Sequence, residues 1–400
     1  MTVDGRPTSR DGSADAPPIR GCLYVASPTA TLTGGPICAL EHLAALKSYF
    51  DDCVLVLCMP GPLEDRASKL GIHTWCSPFL FRGLRRGGFA KFARNVGEVV
   101  RSRWRYVRSL RDRMKEKPGL LHIHCRAAHL PYALLAGWWA RVPVVVSLHE
   151  PWAGGFEAWT ELWMIRLLAD HVVFPARNMA LGHPAMMRRN SSVMHYYMAP
   201  KAPRANPQPR PIPLVVMPAL MDRRKGFDVF LEVCRRVGES PVACEFWMVG
   251  GWRSEVDQRQ ARDFLARNRM EERVKDCGST ADMESVYAQA DVLLLTSRRD
   301  PLPRVVMEAM CHGLPVVATR VDGIPEMVED GVTGFLAESE DAQGLAQAVE
   351  RLLGDAGLRR RMGEAGRERA GRLFSPKAYA RASMKVYSRL LPATDSKSQI

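Results

Sequence analysis

No two of the ten cysteines stand in a C-x-x-C pair. Zinc ribbons and redox dithiols need that spacing, and the scatter argues against a disulfide framework as well. Free thiols in a reducing cytosol are the expectation. The first twenty residues hold no apolar core, which predicts no secretory leader. The most apolar long window, 130–148, is broken by Arg141 and Pro143. It reads as a buried helix followed by a buried strand, not as a membrane span. No G-x-G-x-x-G fingerprint, helix-turn-helix, zinc finger or aromatic RNA-binding motif is visible, and no internal repeat of solenoid or propeller length. Acidic residues are scarce relative to basic ones, 43 against 56, for a net charge of +13. That balance implies an acidic partner: anionic head groups, nucleic acid or phosphorylated substrates.

What is present is an ordinary globular composition over 400 residues, enough for two domains or three. Residues 1–18 are polar and Pro/Gly-rich and predict a disordered tail. Apolar runs then alternate with helical patterns, which argues an α/β chain with parallel sheets. A strand at 21–26 leads to Gly34-Gly35, which opens a helix. A glycine pair at that place is a tight turn or a close approach of backbone to phosphate. From 81 to 117 there are thirteen Lys or Arg and three acidic residues. Phe89, Phe92, Val96, Val99, Val100, Trp104, Val107 and Leu110 recur at three- and four-residue steps, predicting an amphipathic basic helix with at most one break. It either docks on the sheet with a solvated basic face or attaches to an anionic membrane surface.

The strand 119–125 carries His122 and His124 on one face by its period of two. Two histidines need further metal ligands, and none is visible, so no metal site is expected. His124 and Arg126 lie near the strand's C-terminal end, the edge where ligands gather in open α/β sheets, and are acceptor-side candidates. The run 142–148 predicts a central parallel strand that delivers His149 to the same edge. Six prolines between Met198 and Pro213 predict a stiff linker. The expected division is a first domain at 19–197, a linker at 198–213, a second domain at 214–375 and a final helix and tail at 376–400.

The most informative stretch is 297–319, SRRDPLPRVVMEAMCHGLPVVAT. Pro303 suits a first helical turn, and Gly313 is placed to end that helix in the left-handed region. The N-terminus of such a helix attracts phosphate. Pro301 and Pro303 cannot donate, so the donors are the N–H groups of Leu302, Arg304 and Val305. Asp300 sits just outside the helix, where it can meet a sugar hydroxyl or simply cap the turn. Glu308 lies one to two turns in, where it can accept both hydroxyls of a ribose or pair with Arg304 on the surface.

This segment resembles the E-x7-E signature of the retaining glycosyltransferases of family 4. The run 308–328, EAMCHGLPVVATRVDGIPEMV, is similar to the family pattern almost position by position. Asp300 stands where the family usually has Glu, and Asp322 where it has the first Gly of Gly-Gly-Ile-Pro-Glu. The resemblance implies a GT-B architecture: two Rossmann-like domains facing across a cleft, with a C-terminal helix crossing back. It implies that Lys225 binds the donor phosphates, that the loop at Gly278 holds the base, and that Gly34 and Gly35 lie near the diphosphate. His149 would reach the reacting sugar. The family's arginine before the Lys-Gly is replaced by Leu220, leaving Arg223 or Arg224 to substitute.

The expected protein is therefore a transferase that is either free in the cytoplasm or peripheral on the inner face of the membrane, without cofactor or metal, with a UDP- or GDP-sugar donor and a glycan or lipid-linked acceptor. A sugar-nucleotide epimerase or phosphorylase on the same architecture, or a non-catalytic basic membrane-surface protein, are the alternatives.

Overall fold

The computed structural model describes residues 19–27, 29–31, 34–77, 79, 89–124, 129–149, 156–182, 190–198 and 210–391. The expectations for the tail 1–18, Arg126, the linker from 199 to 209 and the last nine residues lie outside these. Two compact units are present, residues 1–145 with 387–400, and 146–386.

The first sheet is built from β1 (Ile19–Ser27), β2 (Phe50–Leu57), β3 (His73–Cys76), β4 (Gly119–His124), β5 (Val144–Ser147), β6 (His171–Phe174) and β7 (Ser191–Val193). Their order is β3-β2-β1-β4-β5-β6-β7. The ladders of β1 with β2 and β4, of β2 with β3 and of β6 with β7 run parallel. Helices α1 (Gly34–Leu46), α2 (Leu63–Lys69), α3 (Phe89–Glu116), α4 (Leu130–Ala140), α5 (Phe156–Leu168) and α6 (Arg177–Leu181) lie between the strands. With helices as crossovers both sheet faces are covered, and the strands read as continuous apolar runs rather than as alternations.

The predicted basic helix is α3, 28 residues without a break. Tyr106, Val107, Leu110 and Met114 form its buried side. Its periodicity had assigned Val100 and Trp104 to that side too, but they are 47% and 49% exposed. The partner α4, 11 residues long, meets α3 in its C-terminal half. Arg103 donates to the Tyr132 hydroxyl at 2.8 Å, and the Arg111 guanidinium lies 4.1 Å from the Trp139 ring centre.

The second sheet has β8 (Leu214–Pro218), β9 (Glu245–Val249), β10 (Val274–Asp276), β11 (Val292–Leu295), β12 (Val316–Thr319) and β13 (Gly334–Ala337), in the order β10-β9-β8-β11-β12-β13 and parallel throughout. Successive residues face opposite layers. Val215, Met217, Val292 and Leu294 join one core, while Leu214, Val216, Leu293 and Leu295 join the other. Helices α7 (Phe227–Gly238), α8 (Glu255–Arg267), α9 (Met283–Gln289), α10 (Arg304–Cys311), α11 (Ile324–Met327), α12 (Ala342–Gly354), α13 (Ala356–Leu373) and α14 (Pro376–Leu390) complete the chain. The last of them starts at Pro376, where the sequence places the final helix. Asp341 and Asp355 cap two of them, accepting from the N–H groups of Gly344 and Leu358 at 2.8 Å each.

One expectation is corrected. The stretch 331–337 reads as a hairpin-like return, but β13 runs parallel to β12 at the sheet edge. Gly331 does turn the chain, at φ +77°. The chain has already reversed through α11, however, so it re-enters the sheet in the original direction. A methyl at Gly334 would lie 1.9 Å from the Val316 carbonyl oxygen, so the close parallel approach requires glycine.

Candidate donor site

In the second sheet the strand order reverses between β8 and β11. Ligands of open α/β sheets bind outside the C-terminal ends of strands at such a point. The loop after β8 carries Arg224, Lys225 and Gly226, and the loop after β11 carries Ser297 to Pro303.

Gly226 has φ +71°, and a methyl on it would lie 2.0 Å from the Thr296 carbonyl oxygen. The Thr296 hydroxyl donates to the Gly226 carbonyl at 2.8 Å. These contacts press the two loops together. Lys225 is fixed at its backbone by Asp222, whose carboxylate accepts its N–H at 2.8 Å. Its ammonium nitrogen lies 2.5 Å from Asp300 Oδ2, with side chains 15% and 7% exposed. Asp300 is held in turn by its own N–H, donated to Asp322 Oδ2 at 2.8 Å, and by the Ser297 hydroxyl at 3.4 Å. An ammonium has three donors, so one bond to Asp300 leaves two for a phosphate.

The two arginines proposed to replace the one missing at Leu220 differ. Arg223 donates to Asp228 at 2.8 Å and to Gln260 at 2.7 Å. Arg224 is exposed, and its guanidinium meets only the Arg299 carbonyl, at 3.2 Å, among the described residues. Arg224 is therefore the one with donors to spare.

Helix α10 has the predicted ends. Pro303 is its N-cap, at φ −66° and ψ 117°. At the other end Gly313, at φ +72°, donates to the Met310 carbonyl, and Leu314 donates to that of Ala309, which is a Schellman cap. Leu302 is buried, Arg304 and Val305 half-buried. Among the described residues neither the Leu302 nor the Val305 N–H has a protein acceptor. Glu308 is half-buried. Its Oε2 accepts from the Tyr287 hydroxyl at 2.8 Å. Burial raises the Tyr287 pKa well above its usual value, and Glu308 adds to the effect, so the phenol stays a donor. Tyr287 stacks on His312, which lies 2.8 Å from Glu284. Nothing in the sequence points to Tyr287. Asp322 had a signal, its place at a family glycine. It has φ +43°, the conformation glycine would supply, and its carboxylate grips both Arg299 and the Asp300 N–H.

Gly278, at φ +63° with open space where a side chain would point, accepts the Gly250 N–H at 2.8 Å. A methyl at Gly250 would lie 1.8 Å from the Ala219 carbonyl oxygen. The loops after β8, β9 and β10 thus converge at one edge.

His149 follows β5. Its Nδ1 lies 2.5 Å from the Tyr196 hydroxyl, and the two rings stack at 5.0 Å. Desolvation lowers its pKa to about 4, which keeps it neutral at pH 7. Gly34 and Gly35 open α1 itself, two residues earlier than Pro36.

His124, an acceptor-side candidate, is buried rather than set at an open edge. It belongs to a cluster that sequence spacing did not reveal: His42 from α1 joins His122 and His124, all three buried. The Tyr387 hydroxyl lies 2.5 Å from His122 Nδ1 and 2.6 Å from His42 Nε2. The ligand nitrogens of the three imidazoles lie within 4.8 Å of one another, so the expectation that the β4 pair lacks a further ligand is corrected: His42 completes a set able to hold a metal ion, and here the Tyr387 hydroxyl links two of its members.

Comparison with known proteins gives a consistent result. Residues 212–355 match the family model described as Glycosyl transferases group 1, and residues 54–181 match Glycosyltransferase Family 4. The lipopolysaccharide core biosynthesis glycosyltransferase LpsE of Rhizobium meliloti is 30% identical over 179 residues, 44% of this chain and 50% of that protein. The N-acetyl-alpha-D-glucosaminyl L-malate synthase of Bacillus anthracis is 40% identical over 99 residues, 25% of this chain and 26% of that protein. The matches thus span about half the length of the curated relatives, or less. Among solved structures, Anabaena HepE in complex with UDP and glucose superposes with a TM-score of 0.76 at 18% identity, covering 92% of this chain and all of that one. At that identity the likeness is one of fold.

Proposed function

The chain belongs to the group 1, family 4 glycosyltransferases, and from that membership we propose that it moves a sugar from a UDP- or GDP-linked donor to a glycan or lipid-linked acceptor, with retention of anomeric configuration. The relatives' names support a role in cell-envelope or exopolysaccharide synthesis, since they concern lipopolysaccharide core and colanic acid. The observation that carries the reading is the meeting of Lys225 with Asp300 beside the N-terminus of α10.

In this reading the diphosphate lies against the Leu302 and Val305 N–H groups, where the helix dipole favours an anion. As the bond from C1 to the β-phosphate oxygen breaks, negative charge grows on the leaving oxygen. Lys225 and Arg224 stabilise it, having been positioned before the reaction begins. Asp300 turns to a sugar hydroxyl, Glu308 accepts from the ribose, and the Gly278 loop holds the base. Gly34 and Gly35, which open α1, are the remaining donor-side candidates. Neutral His149 offers a hydrogen bond to the sugar. With retention and no covalent nucleophile, the acceptor hydroxyl attacks the face from which the diphosphate departs, and its proton passes to the departing phosphate oxygen. The protein works on the cytoplasmic side of a membrane, as a peripheral protein held by α3.

A thermal-shift screen with UDP, GDP and ADP tests the donor site, because a ligand at 100 times its Kd adds about 2.7 kcal/mol to stability. A shift with UDP or GDP that disappears in Lys225→Ala is the expected outcome. No shift with any nucleotide would sink the reading. NMR of the first product formed with a labelled donor then reports the anomeric outcome.

A further inference from the structure

Two helices of the first unit carry aromatic surface that the donor site does not use. On α3, Val100 and Trp104 are 47% and 49% exposed, and on α4 Trp138 and Trp139 are 62% and 38% exposed. A groove of about 860 Å³ between the helices has Val100, Trp104 and Trp139 as its apolar wall and Arg101, Arg105 and Arg108 along it. The arginines stand four and three residues apart, so one helix face presents all three. Asp112 also lines the groove, bonded to Arg111 at 2.7 Å. The bond from Arg103 to Tyr132 and the stacking of Arg111 on Trp139 hold the two helices as one platform. Across its length α3 has nine Lys or Arg and three acidic residues.

Indoles left in water beside a row of guanidiniums match one kind of surface well. Tryptophan settles at the head-group level of a bilayer, its ring apolar and its N–H hydrated, while arginine pairs with phosphate. We propose that the groove between α3 and α4 docks on an anionic phospholipid bilayer. Arg101, Arg105 and Arg108 meet lipid phosphates, and Trp104 and Trp139 sink to the boundary of head groups and acyl chains. This names the partner for the peripheral attachment proposed above and rests on that reading. It differs from a plain basic-helix attachment, because it needs the α4 indole as well as the α3 charges.

The test is flotation of the full chain with vesicles of phosphatidylcholine alone or of equimolar phosphatidylcholine and phosphatidylglycerol. Binding to the anionic vesicles only, weakened by salt, is expected. The triple variant R101Q/R105Q/R108Q should lower partitioning on the order of 100-fold, at about fivefold per charge. W104A/W139A should lower it about tenfold and remove the fluorescence blue shift on binding. Retained nucleotide thermal shifts in these variants would show that they fold. Undiminished flotation of either variant, equal binding to neutral vesicles, or tighter binding of an oligonucleotide to the same arginines would overturn the proposal. A nucleotide shift without flotation defeats the docking surface alone, and flotation without a nucleotide shift defeats the transferase reading alone.

Discussion

The backbones of Gly226 and Thr296, 70 residues apart, touch so closely that no side chain fits between them: a Cβ on Gly226 would stand 2.0 Å from the Thr296 carbonyl oxygen. This contact sets the position of Lys225 against the loop after β11. Gly226→Ala should therefore both destabilise the fold, on the order of 3 kcal/mol from the clash and the left-handed φ together, and weaken nucleotide binding. Urea denaturation and a nucleotide titration read the two effects. Unchanged stability would mean that the loops separate easily.

The pair of Lys225 and Asp300 is mostly removed from water, so neither charge is cheap to leave alone. Lys225→Met and Asp300→Asn should each cost about 3–5 kcal/mol, whereas the double variant should recover most of that loss. Activity should not recover with it. Loss of the ammonium is expected to lower kcat on the order of 100-fold or more, as with other donors aimed at developing charge. Recovery of turnover in the double variant would show that the pair is structural only.

Glu308 and Tyr287 should separate under substitution. Glu308→Gln keeps the shape but removes the charge that accepts ribose hydroxyls, a loss of about 1.5–3 kcal/mol in donor binding. Tyr287→Phe removes one hydrogen bond that orients Glu308, a loss of about 1 kcal/mol. Both should raise the donor KM more than they lower kcat. Steady-state kinetics with varied donor will check the order, and a larger effect from Tyr287→Phe would contradict it.

Two imidazoles, His129 and His149, are held at a pKa of about 4 by desolvation. His129 is buried, with no hydrogen-bond partner for either ring nitrogen among the described residues. The unfolded chain binds these protons near pH 6.5, so it takes up more protons than the native state between pH 4 and 6.5. Stability is then full above pH 6.5 and falls as pH drops towards 4, by up to about 1.4 kcal/mol per pH unit for each imidazole. Denaturation midpoints across this range measure the slope, and His129→Met should flatten it. A slope unaffected by that substitution would assign the acid sensitivity elsewhere.

Local signals were read well because local physics decides them. Pro303 and Gly313 mark the ends of α10 through restrictions on their own φ. The apolar runs of β8, β11 and β12 identify strands covered on both faces. Periodicity alone failed at Val100 and Trp104, since helical spacing shows which residues share a face but not how far the neighbouring helix extends along it. It failed again at 331–337, where the direction of β13 follows from α11 and not from the glycine turn.

By itself the sequence determined the class of fold, the helix ends around the signature stretch, and the residue types that make a phosphate and sugar site plausible. Each follows from forces acting within a few residues along the chain. The tertiary structure decided which partners those residues have: Lys225 for Asp300, Tyr287 for Glu308, Tyr196 for His149, Asp322 for the Asp300 N–H, and His42 for the pair on β4. Those meetings arise because burying both faces of a parallel sheet brings distant strand ends to a common edge. No spacing in the linear chain records which loops will share that edge.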